Sequence, residues 1–217
     1  KFNEKIKYGL FPQPYFYTKN LNIIFEEEIL GKSNYVKFYI SFNNFFSSKK
    51  LKIKDLIFKN TEFNTNSDNL YFFNKTLKNL ETQNKIVFKK NKLFFRDKNE
   101  ELLFLSKIKK INFFHDDTNL LQKINSEFEI FNIPFKFTAS RNDNDKKKLI
   151  ELSSRKIRLD TKTSINHSGK NINGFFDILF FNKRNSFSYK IKDEALTFLS
   201  KDKNFNGSLN FKPFYFY

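Results

Sequence analysis

Two histidines and three short acidic runs are the places where this chain could do chemistry. His115 stands directly before Asp116 and Asp117, offering one imidazole and two carboxylates to a metal or a proton. A metal centre needs three or four ligands converging from several elements, and the triplet sits in a polar turn after "INFF" with no partner cluster elsewhere. His167 has no acidic neighbour. The carboxylates of Glu26 to Glu28 and of Glu100 and Glu101 fall where the chain turns, and they read as rim residues. The chain has no cysteine, and it shows no Ser-His-Asp arrangement of known form, no P-loop, no GxGxxG and no HExxH. The expectation is a protein that is not an enzyme, with no metal site and no cofactor.

The elements that would position such groups are set by composition. The 217 residues carry 40 Lys and Arg against 23 Asp and Glu, a net charge of +17. Such an excess suits nucleic acid or an anionic membrane surface. It also follows from A/T-rich codons, since Lys, Asn, Phe, Ile and Tyr crowd the sequence. The lysines are spread over nearly every segment, with no run of five basic residues and no RRM, KH or zinc-finger signature, so nucleic acid is not the expected partner. Aromatics make up 19% of the chain, 32 of them Phe, while charged residues make up 29%. Apolar and polar side chains must therefore be segregated by face. No run approaches the length of a membrane-spanning helix. The chain begins with Lys and reads as a fragment or a processed product of something longer.

The segregation has period two. "YVKFYISF" places Val36, Phe38, Ile40 and Phe42 on one side and Lys37 and Ser41 on the other, the pattern of a half-buried strand. "LKIKDLIF" alternates through Leu51 and Ile53 and then shifts phase at Asp55, which predicts a bulge or a break. "KIVFKKNKLFFRD" reads as a hairpin turning at Lys89 to Lys92. "SEFEIFNIPFKFTAS" reads as strand, with Pro134 demanding an edge, a bulge or a break. "SRKIRLDTKTSI" alternates Ile157, Leu159 and Thr161 against Arg158 and Asp160. "NGFFDILFF" sets Phe176, Ile178 and Phe180 on one face, "KRN" turns the chain, and "SFSYKIKD" answers with Phe187, Tyr189 and Ile191. Short helices are expected only at residues 69–79 and from Thr118. Asn-Gly pairs at Gly174 and Gly207 read either as turns opening new strands of a growing sheet or as unrelated turns.

The opening stretch "LFPQPYFYTKNLNIIF" sets Pro12 and Pro14 among aromatics. Proline fixes φ and lacks an N–H, so this is a stiff extended entry into the strands. Together with "SNYVKFYISFNNFFSSKKLKIKDLIFKNTEF" it resembles the N-terminal region of AsmA-like envelope proteins. In that family a Phe-Pro-x-Pro segment is followed by alternating strands. "KIVFKKNKLFFRD", with Asn91 where that family has a turn glycine, and "GSLNFKPFYF" are similar to strands further along such proteins. The resemblance is tightest over residues 8–63 and continues as pattern to residue 217.

The resemblance implies a β-rich, groove-shaped region related to bridge-like lipid carriers. Such a protein faces the periplasm, anchored to the inner membrane of a Gram-negative bacterium by an N-terminal helix outside this chain. Phospholipid acyl chains are the implied partner, carried between the membranes or in support of outer-membrane assembly. The alternation independently predicts a mainly β protein, a curved antiparallel sheet shaped as a groove or half-barrel. Residues 1–217 would form one region, subdividing if at all into 1–80 and 81–217. The lipid-groove candidates are Val36, Phe38, Ile40, Phe42, Phe176, Ile178, Phe180, Phe187, Tyr189 and Ile191. The bland alternative for these Phe side chains is a closed β-sandwich core, and two other functional readings stay open: a β-sheet binding or scaffolding module without lipid, and a basic binder of single-stranded nucleic acid.

Overall fold

The structure is a computed structural model. It describes residues 4–25, 27–41, 53–66, 85–116, 121–142, 147–168, 171–192, 195–201 and 204–210. Fourteen strands follow in chain order: β1 (Lys7–Gly9), β2 (Tyr15–Phe25), β3 (Glu28–Ile40), β4 (Ile53–Thr65), β5 (Lys85–Arg96), β6 (Leu102–Asp116), β7 (Leu121–Ile130), β8 (Ile133–Asn142), β9 (Lys147–Ser154), β10 (Leu159–Ser168), β11 (Asn171–Phe180), β12 (Lys183–Lys192), β13 (Ala195–Ser200) and β14 (Asn206–Asn210). They pair in sequence order as one sheet that does not close on itself. The chain is thus mainly β, as its alternation predicts. No helix occurs among the described residues. Of the two expected helices, the one at 69–79 lies outside the described residues. The other is a strand from Leu121 onward, because Ile124, Phe128 and Ile130 keep the period of two and not that of a helix.

The sheet is not wholly antiparallel, since β4 and β5 run parallel. A parallel pair needs a connection of a dozen or more residues, and residues 66–84 supply the length. The hairpin expected at Lys89 to Lys92 is one continuous strand, β5. Lys90 takes a positive φ of 55° there, and Asn20 in β2 and Asn60 in β4 do the same at 52° and 51°. These residues lie in one row across the sheet. Lys19 pairs with Tyr35, Tyr35 with Lys59 and Lys59 with Lys89, and one step further Leu21 pairs with Ser33 and Ser33 with Thr61. Each strand changes phase at this row, so apolar side chains stay on one face along its length. Phe88, before the shift, meets both Phe58 at 4.9 Å and Phe63, after the shift, at 5.9 Å. The phase shift expected at Asp55 is also present, as an irregularity where Tyr39 pairs with Asp55 and Ile40 with Ile53.

The shift disturbs the ladder, and side chains repair it. The buried Thr61 N–H donates to Asn91 Oδ1 at 2.8 Å, and Thr61 Oγ1 meets Ser33 Oγ at 2.9 Å. Asn91, expected in a turn, is therefore a structural acceptor 2% exposed inside the sheet. Asn91→Ala leaves a buried N–H unsatisfied and is expected to cost about 1–3 kcal/mol, read as a lower urea midpoint with unchanged slope.

The chain divides into two compact units, Lys1–His115 with Ser126–Asn132, and Asp116–Asn125 with Ile133–Tyr217. The first has a sealed interior. Leu30, Val36, Ile40, Phe63, Ile86, Val87, Ile108 and Phe113 are all buried, and all of these lie in this unit. The second unit has none among the described residues.

Candidate functional site: the apolar face of the second unit

The second unit owes its two-sidedness to register. In an antiparallel pair, directly opposed residues project from the same face. Phe176 is opposed by Phe187, Gly174 by Tyr189 and Ile172 by Ile191. Across the next strand Tyr189 is opposed by Phe198 and Ile191 by Leu196. On the other flank Leu159, Thr161, Thr163 and Ile165 of β10 oppose Phe180, Ile178, Phe176 and Gly174. One face is therefore almost continuously apolar. The other carries Lys162, Asp177, Ser186, Ser188, Lys190 and Thr197, with Lys162 Nζ 3.0 Å from Glu151 Oε1.

The hairpin that joins β11 to β12 makes this possible. Phe181 and Asn182 both have positive φ, 46° and 66°, the two-residue turn whose twist matches the strands it joins. It closes Phe180 on Lys183, and that offset brings even-numbered residues of β11 onto the face of odd-numbered residues of β12. The turn expected at Lys183 to Asn185 is thus two residues early, and those residues are strand. The same device, with Phe131 and Asn132 at 50° and 60°, separates β7 from β8. Pro134 follows that break. Residues 155–158 form another turn, so Ile157 lies outside the strand that starts at Leu159.

The Asn-Gly pair at Gly174 lies within β11 and opens no strand, whereas the pair at Gly207 begins β14, and the two glycines share one row. Gly174, Tyr189, Phe198 and Gly207 oppose one another in succession. Two rings lie between two positions that have no side chain. Tyr189 leans over Gly174 and donates its hydroxyl to the Ser164 carbonyl at 3.1 Å. Burial pushes the Tyr189 phenol above its ordinary pKa.

Beside this row the rings gather around Phe187. Its centroid is 6.5 Å from Phe176, 6.3 Å from Phe198 and 6.2 Å from Phe205. Together with Thr163, Tyr189 and Leu196 they line an apolar hollow of about 380 Å³, within the range of small-molecule sites. Within this unit no helix and no second sheet lies over it among the described residues. Phe176, Ile178, Phe187, Tyr189 and Ile191 are each half-buried, and Phe180 is 45% exposed.

The candidates from the first unit stand elsewhere. Val36 and Ile40 are 0% and 4% exposed, inside the sealed interior, while Phe38 is half-buried on the same face. Phe42 lies outside the described residues. Phe198, Leu196, Thr163 and Phe205 belong to the hollow and were not among the expected residues. The sequence signal for Leu196 and Phe198 is the two-residue gap between Lys192 and Ala195, which opposes them to Ile191 and Tyr189.

The first unit also presents a polar face of different character. Tyr15, Tyr17, Tyr35 and Tyr39 stand 5.7–6.1 Å apart there, and Lys37 Nζ lies 3.5 Å over the Tyr15 ring and 4.6 Å over that of Tyr39. Burial raises the Tyr35 phenol while Lys37 pulls it down. Among the described residues no three His, Cys, Asp or Glu side chains cluster as metal ligands would. No protein-family model matches the chain, and no curated protein matches it.

Proposed function

We propose that the chain is a non-enzymatic, lipid-binding protein of the AsmA-like kind, and that the apolar face of residues 133–210 holds phospholipid acyl chains. The observation that carries this reading is the contrast between the two units. The first buries a set of apolar side chains around Val36, Ile86 and Phe113, whereas the second keeps a largely apolar face on which, among the described residues, no aliphatic or aromatic side chain is buried. A face of that kind needs an apolar occupant. At about 0.8 kcal/mol per CH₂ removed from water, an acyl chain lying over Phe187, Phe198 and Ile178 is retained, yet it slides because nothing there is directional. Movement along such a face requires no catalytic residue. The periplasmic setting, the membrane anchor and a role between inner and outer membranes, or in outer-membrane assembly, rest on the sequence resemblance over residues 8–63.

The test is to purify the chain without detergent, extract it and identify bound lipid by mass spectrometry. A photo-crosslinking residue is placed at Ile178 or, as the sealed comparison, at Val36. Phospholipid is expected in the extract, with crosslinks from Ile178 and none from Val36. A lipid-free chain, with Ile178 crosslinking only to a second protein copy, would favour the scaffolding reading.

The single-stranded nucleic-acid reading has one observation in its favour, the Tyr and Lys face of the first unit. Stacking platforms offer open ring faces, whereas here Lys37 and neighbouring rings occupy them. Steeply salt-dependent oligonucleotide binding lost in Tyr15→Ala would support it.

A further inference from the structure

The apolar face of the first unit runs out to an open edge. Phe113, Ile86, Leu56, Phe38, Phe16 and Tyr8 form one row across it, each directly opposed to the one before. Phe113 and Ile86 are buried, Leu56 and Phe38 are half-buried, Phe16 is 39% exposed, and Tyr8 on the edge strand β1 is 75% exposed. Burial is lost strand by strand while the residues stay apolar. Ile6 and Leu10 flank Tyr8 at the strand period of two and are exposed as well, and Phe11 in the loop that follows is 89% exposed. That loop is tied down, since Pro14 is buried and its carbonyl accepts the Ile40 N–H at 3.0 Å. Lys5 and Lys7 alternate with these residues along the edge and are exposed too. The described carboxylate beside them, that of Glu4, accepts from Asn20 Nδ2.

We propose that this edge, residues 5–11 with Phe16, seats in the headgroup region of an anionic bilayer. It stands apart from the acyl-binding reading, because the edge and the hollow belong to different units. Small-molecule sites are concave, whereas Tyr8 and Phe11 are too exposed to enclose a ligand. A soft apolar layer accepts such groups without a matching cavity. An aromatic ring with a polar tip, as in Tyr8, favours the boundary between membrane and water. Lys5 and Lys7, on the alternate side of the same strand, reach anionic headgroups while their aliphatic stems stay in apolar surroundings. A second copy of the chain suits the edge less. A two-fold contact between two β1 strands brings the Lys5 and Lys7 pair of one chain beside that of the other.

The experiment uses the whole chain with vesicles of phosphatidylcholine alone or with one third phosphatidylglycerol. The chain has no cysteine, so Phe11→Cys and, as the comparison, Phe131→Cys at a turn 73% exposed each carry one environment-sensitive fluorophore. A blue shift is expected at position 11 and none at position 131, and the anionic vesicles are expected to bind at least tenfold more tightly. Binding of unlabelled double variants is then compared. Tyr8→Ser with Phe11→Ser is expected to weaken it at least tenfold. Phe131→Ser with Phe175→Ser, which removes two exposed rings elsewhere, is expected to weaken it less than twofold. Because the chain is strongly basic throughout, charge has its own control. Lys5→Gln with Lys7→Gln is expected to weaken binding to anionic vesicles about tenfold, and Lys183→Gln with Lys190→Gln, the equal change in the second unit, less than twofold. No shift at position 11, an equal shift at position 131, or equal losses from an edge pair and its control overturns the proposal. A shift at position 11 that grows with protein concentration in the absence of vesicles overturns it in favour of self-association.

Discussion

Gly174→Ala is expected to destabilise the second unit by about 2–3 kcal/mol, the range for forcing atoms into a filled site, although alanine is otherwise the better strand residue. A methyl group at Gly174 would run into the Ser164 carbonyl oxygen on β10 and stand 2.7 Å from the Tyr189 hydroxyl. The first contact is with backbone and cannot be relieved by a rotamer. The second is with the group that donates to that same carbonyl, so the ring must lift and its hydrogen bond is lost. Gly207→Ala provides the comparison within the same row. Its methyl would meet only the Phe198 ring, at 2.6 Å, and a ring edge on a half-exposed face can swing aside. That variant is expected to lose less than about 1 kcal/mol. Urea unfolding of the two variants, with hydrogen exchange of β10 and β11 amides, separates them. Equal losses would mean that the row tolerates or rejects both methyls for reasons unrelated to Ser164.

The same row shows where sequence reading succeeds and where it stops. Alternation alone puts Phe176, Ile178 and Phe180 together, and Phe187, Tyr189 and Ile191 together, because strand parity is local. Whether the two sets share a face depends on turn length, and here the signal is weak. The turn is Phe181-Asn182 in a left-handed conformation that phenylalanine seldom adopts, so the polar Lys183 to Asn185 looks like the better turn. The interruption in β5 misleads for a related reason. Lys89 to Lys92 is as polar as any loop, and only its pairing with β4 shows Lys90 to be the point where a continuous strand changes phase. Asn20 and Asn60 carry the readable version of that signal, each an asparagine between apolar runs of opposite parity. Coverage is the least legible property. Val36 and Ile178 have equivalent patterns along their strands, yet one is sealed and the other lies on an open face, and that difference is made by whatever packs above each.

Phe187→Asp is expected to abolish lipid retention while leaving most of the fold in place. Phe187 is the ring that Phe176, Phe198 and Phe205 all approach, so a carboxylate there sits at the floor of the hollow. An acyl chain crossing it gives up contact over about four methylenes, roughly 3 kcal/mol at 0.8 per CH₂, which is about a hundredfold in affinity. The native ring is only half-buried, so its carboxylate replacement can reach water and the penalty to folding is expected to stay near 1–2 kcal/mol. Phe175→Asp is the matched control. Phe175 is adjacent in sequence to Phe176 but opposes Ser188 on the polar side, where it is 62% exposed. The same chemical change on the other side of one sheet is expected to leave lipid retention within twofold. The pair therefore reads out the face and not the residue type. If both substitutions release lipid equally, the bound chain does not lie on the face that Phe187 occupies. If neither does, that face is not where the protein holds hydrocarbon.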